Sequence, residues 1–201
     1  MRDADVRSAV LADLGAKYAG DCDTRIVEEM GIWSGSVRID VAVINGRLHG
    51  YELKSARDNL DRLDRQVELY RQVFDRVTLV TADKHVYKAY SKIPEWWGIS
   101  IAALSSNGKI SVRESRAARR NPELVPIQVA RLLWRDEALA ILERCGLDKG
   151  YRSANADELA LRLVEFIPVT TLRREVRTAL KSRAGWLGQS VGHKREVAVG
   201  A

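Results

Sequence analysis

Apolar residues recur at helical spacing near the start of the chain, where Val6, Val10, Leu11 and Leu14 fall on one side of a helix over residues 3–18. Gly20, Asp21 and Asp23 then break the pattern. Short runs rich in β-branched residues follow and predict strands over 24–32, 37–44 and 48–55. They are separated by a "WSGS" turn at 33–36 and an Asn45-Gly46 turn signal. Asp58 is placed to N-cap a helix reaching Phe74, with Leu60, Leu63, Val67 and Tyr70 on its apolar stripe. Next come a strand at 77–82, a short helix at 86–93, and strands at 98–104 and 109–114 joined through Asn107-Gly108.

Beyond residue 115 the period becomes wholly helical. The stretch 116–126 reads as a linker, and helices are predicted over 127–145, 157–166 and 169–182. This divides the chain into a domain over 1–115, a linker over 116–126, a helical extension over 127–183 and an aperiodic tail over 184–201, expected to be mobile. An α, β, β, β, α, β order followed by helices predicts an α/β fold with a C-terminal helical extension.

Charge sharpens this division. Residues 1–115 carry 17 Lys+Arg and 17 Asp+Glu, whereas 116–201 carry 16 and 10, so the whole net charge of +6 resides in the C-terminal part. A basic appendage on a neutral body suits a polyanionic partner, although solvated basic helices give the same count. The two cysteines, Cys22 and Cys145, have no CxxC spacing and no histidine near them in sequence. With no charged-then-apolar leader and no apolar run of the ~20 residues that span a bilayer, the expectation is a cytoplasmic protein with no membrane partner.

Within the strands, charge stands where apolar residues belong. Glu52 and Lys54 alternate with Tyr51 and Leu53 and therefore share one face of their strand. Asp40 joins them only if the hairpin loop is odd. A two-residue Asn45-Gly46 loop pairs residues summing to 91 and puts Asp40 and Glu52 on opposite faces, whereas a three-residue or bulged loop brings all three together, which is the expected geometry. Two carboxylates converging at a strand edge form a hard oxygen site for Mg²⁺ or Mn²⁺, and a lysine beside them can steady a nucleophilic water or the charge growing on a phosphate. An isolated Glu-x-Lys is more commonly an ordinary charge ladder on a solvated sheet. Gln66 and Tyr70, at i and i+4, share a face of the next helix.

Asp40, "ELK" at 52–54 and "QVELY" at 66–70, in this order on these elements, resemble the PD-(D/E)XK nuclease superfamily and its RecB-like QxxxY branch. The stretch "EEMGIWSGSVRIDVAVINGRLHGYELKSARDNLDR" is similar to small bacterial MmcB-related DNA-repair proteins of that superfamily. The resemblance covers residues 3–82 and implies a restriction-endonuclease-like core with a mixed sheet. It implies that Asp40, Glu52 and the Leu53 carbonyl hold the metal and that Lys54 places the attacking water. Glu29 would assist at the metal, with Glu28 as its rival, and Gln66 and Tyr70 would line the cleft. Ile39 replaces the proline of the motif. The implied activity is Mg²⁺- or Mn²⁺-dependent hydrolysis of nucleic acid, DNA first, in repair or defence. Superfamily members often work as homodimers. The alternatives are a nucleic-acid-binding protein without turnover and a nuclease that needs a partner.

Other features carry less. His49, His85 and His193 have no ligand spacing. Trp96-Trp97 can stack on bases but more simply packs on the sheet. Arg57, Arg62, Arg65 and Arg71 border the expected cleft helix, interleaved with acids. The portion "CGLDKGYRSANADELALRL" resembles a SAP-type DNA-binding unit, and also an ordinary helical pair.

Overall fold

The computed structural model describes residues 2–183 apart from 34, 36 and 107, together with Ser190–Val191. The chain runs α1 (Asp3–Lys17), β1 (Arg25–Ile32), β2 (Val37–Ile44), β3 (Leu48–Lys54), α2 (Leu63–Tyr70), β4 (Arg76–Ala82), a 3₁₀ turn, α3 (Val86–Lys92), β5 (Gly98–Leu104) and β6 (Ile110–Arg116). Helices α4 (Pro126–Ala130), α5 (Arg135–Arg144), α6 (Ala156–Phe166) and α7 (Val169–Ser182) follow, and Ser190–Val191 form the two-residue strand β7. The strands make one mixed sheet in the order β6-β5-β4-β3-β2-β1-β7. The β1-β2-β3 meander is antiparallel, β3-β4-β5 are parallel, and β6 returns antiparallel on β5. Ser34 and Ser36 of the first turn, Asn107 of the last hairpin, and the tail residues 184–189 and 192–201 lie outside the described residues.

Helix α1 covers one face of the sheet, where Val6, Val10 and Leu14 meet Ile26, Val41, Val43, Tyr51 and Leu53. All the other helices contribute to the opposite core. On that second face Gly50 keeps the β3 row thin: a Cβ there would come within 3.1 Å of Ile39 and 3.2 Å of Phe74. Its missing side chain lets both pack against the strand that carries Glu52.

Two predicted helices differ from those observed. Asp58 does not cap α2. Its carboxylate accepts from the Ser55 amide at 2.7 Å, Asn59 closes a similar local bond with the Asp61 amide, and α2 starts only at Leu63. Side-chain-to-backbone bonds of this kind compete with the first helical turn. The helix expected over 127–145 is broken into α4 and α5, because Trp134 is extended and its amide donates to Glu137.

Residues 117–125 have no regular structure but are stitched to the body. Asn121 donates to the carbonyls of Arg71 and Phe74 at 2.6 and 2.8 Å, and the Val125 amide donates to the Gln72 carbonyl. From there one continuous apolar core runs through α4–α7, joining Leu142, Leu163 and Leu172 to Ile39, Phe74 and Trp97.

Candidate active site

The β2-β3 hairpin sets the site. Its register pairs Val41 with Tyr51 and Ile44 with Leu48, sums of 92, across a three-residue loop in which Asn45 Oδ1 accepts from the Arg47 amide. Asp40 stands one step beyond the Val41-Tyr51 pair, next to Ile39, whose side chain lies on the Gly50 and Phe74 side of the sheet. Asp40 Oδ2 accepts from the Leu53 amide at 2.8 Å, which holds its carboxylate at the C-terminal end of β3. Glu52 is almost fully buried, at 2% exposure, and Lys54 is 6% exposed with its Nζ 2.7 Å from Glu52 Oε1.

Helix α2 brings the remaining groups. Gln66 donates its amide to Glu52 Oε1. The Tyr70 hydroxyl lies 2.8 Å from both Glu52 Oε2 and the Arg38 carbonyl, so its single proton is shared between them. Behind it, the Tyr70 ring stacks on Trp97 at 6.2 Å and meets Phe74 edge-on. The tryptophan pair is packing material, with Trp97 fully buried and Trp96 nearly so.

Electrostatics follow from this crowding. Burial, then the neighbouring charge of Glu52, pushes the Asp40 carboxyl up to about 7, against the Leu53 amide, Arg7 and Lys54, which pull it down. The Tyr70 phenol is raised far above its ordinary value, first by burial and then by Glu52.

Arg7 of α1 is the part of the site that strand and helix patterns gave no means of finding. Its Nη2 lies 2.7 Å from Glu29, 3.0 Å from Asp40 and 3.4 Å from Asp3, while Nη1 donates to the Asp40 carbonyl. Burial works to lower this guanidinium, and Asp40, Glu29 and Asp3 outweigh it and raise it. Glu29 reaches the cluster because its backbone is left-handed, with φ +49°. That kink breaks the alternation of β1, so Val27 and Met30 point into the same core. Of the two candidate glutamates, Glu29 lines the cleft.

The groups open on a cleft of about 440 Å³ with Arg62 and Arg65 on its wall. Arg71 is held by Glu68 and Glu123. His49 is on the other face of β3, stacked on Tyr51 at 4.4 Å, with its Nε2 2.9 Å from the Thr78 hydroxyl.

Among the described residues no three His, Cys, Asp or Glu side chains are grouped to hold a metal ion together. The available donors are the Asp40 and Glu52 carboxylates and Gln66 Oε1, an acceptor that is buried with no hydrogen-bond partner. Hard oxygens, an unpartnered acceptor and two mutually repelling carboxylates are a chemistry that Mg²⁺ or Mn²⁺ fits.

Fold and site thus define a mixed α/β protein with a carboxylate-lysine cleft at the edge of its meander. The chain belongs to the bacteriophage P4 protein cII family, whose profile matches residues 1–190. Protein cII of Enterobacteria phage P4 is 26% identical over 183 residues, spanning 91% of this chain and 68% of that protein. Among solved structures, a protein of unknown function from Silicibacter pomeroyi matches 77% of this chain and 95% of its own, at 18% identity and a TM-score of 0.47.

Proposed function

We propose that the cleft is the active site of a metal-dependent phosphodiesterase of the PD-(D/E)XK type acting on nucleic acid, DNA first. The observation that carries this reading is that Asp40, Glu52 and Lys54 line one cleft, with Gln66 and Tyr70 bonded to Glu52. A buried, hydrogen-bonded carboxylate pair facing a polyanion is repulsive unless a cation intervenes. Mg²⁺ or Mn²⁺, held by Asp40 and Glu52, would supply Lewis-acid polarisation of the phosphate and a more acidic water. Lys54 would orient the attacking water and stabilise charge on the phosphate, Gln66 and Tyr70 fix the Glu52 carboxylate, and Arg62 and Arg65 would meet flanking phosphates. Two free, exposed cysteines suit a reducing, cytoplasmic setting. Among the described residues no helix is long and apolar enough to cross a membrane.

A second reading, binding of nucleic acid without turnover, is favoured by one feature: Arg7 already neutralises Asp40 and Glu29. Cleavage of labelled single-stranded, duplex and branched DNA with Mg²⁺ or Mn²⁺ separates the two. Metal-dependent cutting by the wild type should fall at least about a hundredfold in Asp40→Ala and in Lys54→Ala, each checked for folding. A wild type that cuts none of these substrates, and binds no metal through Asp40, would overturn the nuclease reading.

A further inference from the structure

We propose that Arg7 is the resident cation of the carboxylate cluster and that divalent metal binds in competition with it. This rests on the metal-dependent reading above and adds a control to it. One nitrogen, Nη2, stands within 3.4 Å of carboxylate oxygens from α1, β1 and β2. Nη1 locks the fork on the Asp40 carbonyl at 3.0 Å.

The arrangement is too constrained to be a passing surface pair. The Arg7 side chain is 18% exposed, and Glu29 adopts a left-handed backbone that non-glycine residues rarely hold without compensation. The contacts to Arg7 and Arg38 supply the compensation on the side-chain end.

A metal ion bound to Asp40 competes with this guanidinium for the same carboxylate charge. Divalent magnesium sits ~2.1 Å from a carboxylate oxygen. Asp40 Oδ1 already has Nη2 at 3.0 Å, and Oδ2 accepts from the Leu53 amide. A dication on either oxygen therefore faces a fixed positive charge a few ångströms away, in a partly buried setting where screening is weak. Asp3, the most exposed of its three partners, has its side chain half exposed. A nucleic-acid phosphate arriving in the cleft is an alternative partner for the released fork, since arginine pairs with phosphate as it does with carboxylate. Metal and polyanion would then bind with positive coupling.

The test is Mn²⁺ titration by calorimetry of wild type, Arg7→Gln and the double variant Arg7→Gln/Asp40→Asn, with Mg²⁺ titration of the wild type followed through the Arg7 Nε–Hε resonance. Arg7→Gln should bind Mn²⁺ at least about tenfold tighter, and the added Asp40→Asn should abolish the gain. In the wild type the Arg7 resonance should move with the same midpoint as metal binding, a readout that survives if the variant folds poorly. Metal binding that leaves the resonance unmoved, or equal affinity in a folded Arg7→Gln, would overturn the proposal while leaving the metal site standing. No binding by any form, at millimolar metal, would overturn both.

Discussion

Tyr70 ties the apolar core to the charged site, because its ring is packed between Trp97 and Phe74 while its hydroxyl meets Glu52 and the Arg38 carbonyl. Tyr70→Phe keeps the ring and removes the hydroxyl. It should cost about 1–3 kcal/mol in urea unfolding, since two buried acceptors lose a donor together. An unchanged midpoint would mean that water replaces the hydroxyl. On the opposite face, His49 has its titration lowered to about 3, first by burial and then by Arg76, Lys17 and Arg47. The sign follows from which state takes the proton. Below about pH 6.5 the unfolded chain protonates this imidazole and the folded chain does not, so its contribution is complete above that pH and is lost as pH falls toward 3. The loss is at most about 1.4 kcal/mol per pH unit. Urea titrations from neutral to acid pH should show a shallower slope for His49→Gln, and parallel curves would rule this out.

At the scale of elements, Asp75 is the hinge pin between the sheet and the helical extension. Just ahead of β4, it accepts from the Leu48 amide at 2.7 Å and pairs with Arg173 and, at 3.8 Å, Arg177 of α7. Asp75→Ala leaves two partly buried guanidiniums and the Leu48 amide without their acceptor and should cost about 2–4 kcal/mol. Amide exchange should show α7 losing protection before the sheet does, whereas uniform loss would mean that α7 is held by its apolar side alone. Asp75 carried no sequence signal, because its partners are about a hundred residues away and only tertiary packing brings them together. Strand and helix identity were legible where the period was clean, as in β2 and α7, whose observed bounds match the pattern. The side of β3 carrying Glu52 and Lys54 was legible too, since alternation determines it, and the odd hairpin loop is the one expected. The placing of Asp40 was not, because Ile39 beside it breaks the alternation and packs in the same core as Ala42 and Ile44. The late start of α2 and the break at Trp134 were not, because local capping bonds there override a continuous apolar stripe. Nor was Arg7: on a helix whose apolar residues point at the sheet, it reads as one more solvated charge.

For the whole molecule, the C-terminal excess of positive charge is a weaker guide to function than its size suggests. Arg173 and Arg177 face Asp75, Arg183 is buried against Glu137 and the Leu132 carbonyl, and Arg144 is paired with Glu175. Arg173 and Arg177 bind the extension to the body, and Arg183 and Arg144 hold the extension's helices to one another. The cleft cations Arg62 and Arg65 are exposed on the wall beside the carboxylates, which makes them the better candidates for phosphate contact. Salt dependence discriminates between the two sets, because each phosphate contact on duplex DNA contributes about 0.9 to the slope of log affinity against log salt. Arg62→Ala and Arg65→Ala should each flatten that slope by about 0.9 for a duplex bound without cutting, and by about 0.7 for a single strand. Arg174→Ala, on an exposed position of α7, should leave it unchanged. The reverse pattern would move the nucleic-acid contact from the cleft to the helical extension, and the carboxylates would then need an explanation that involves no phosphate.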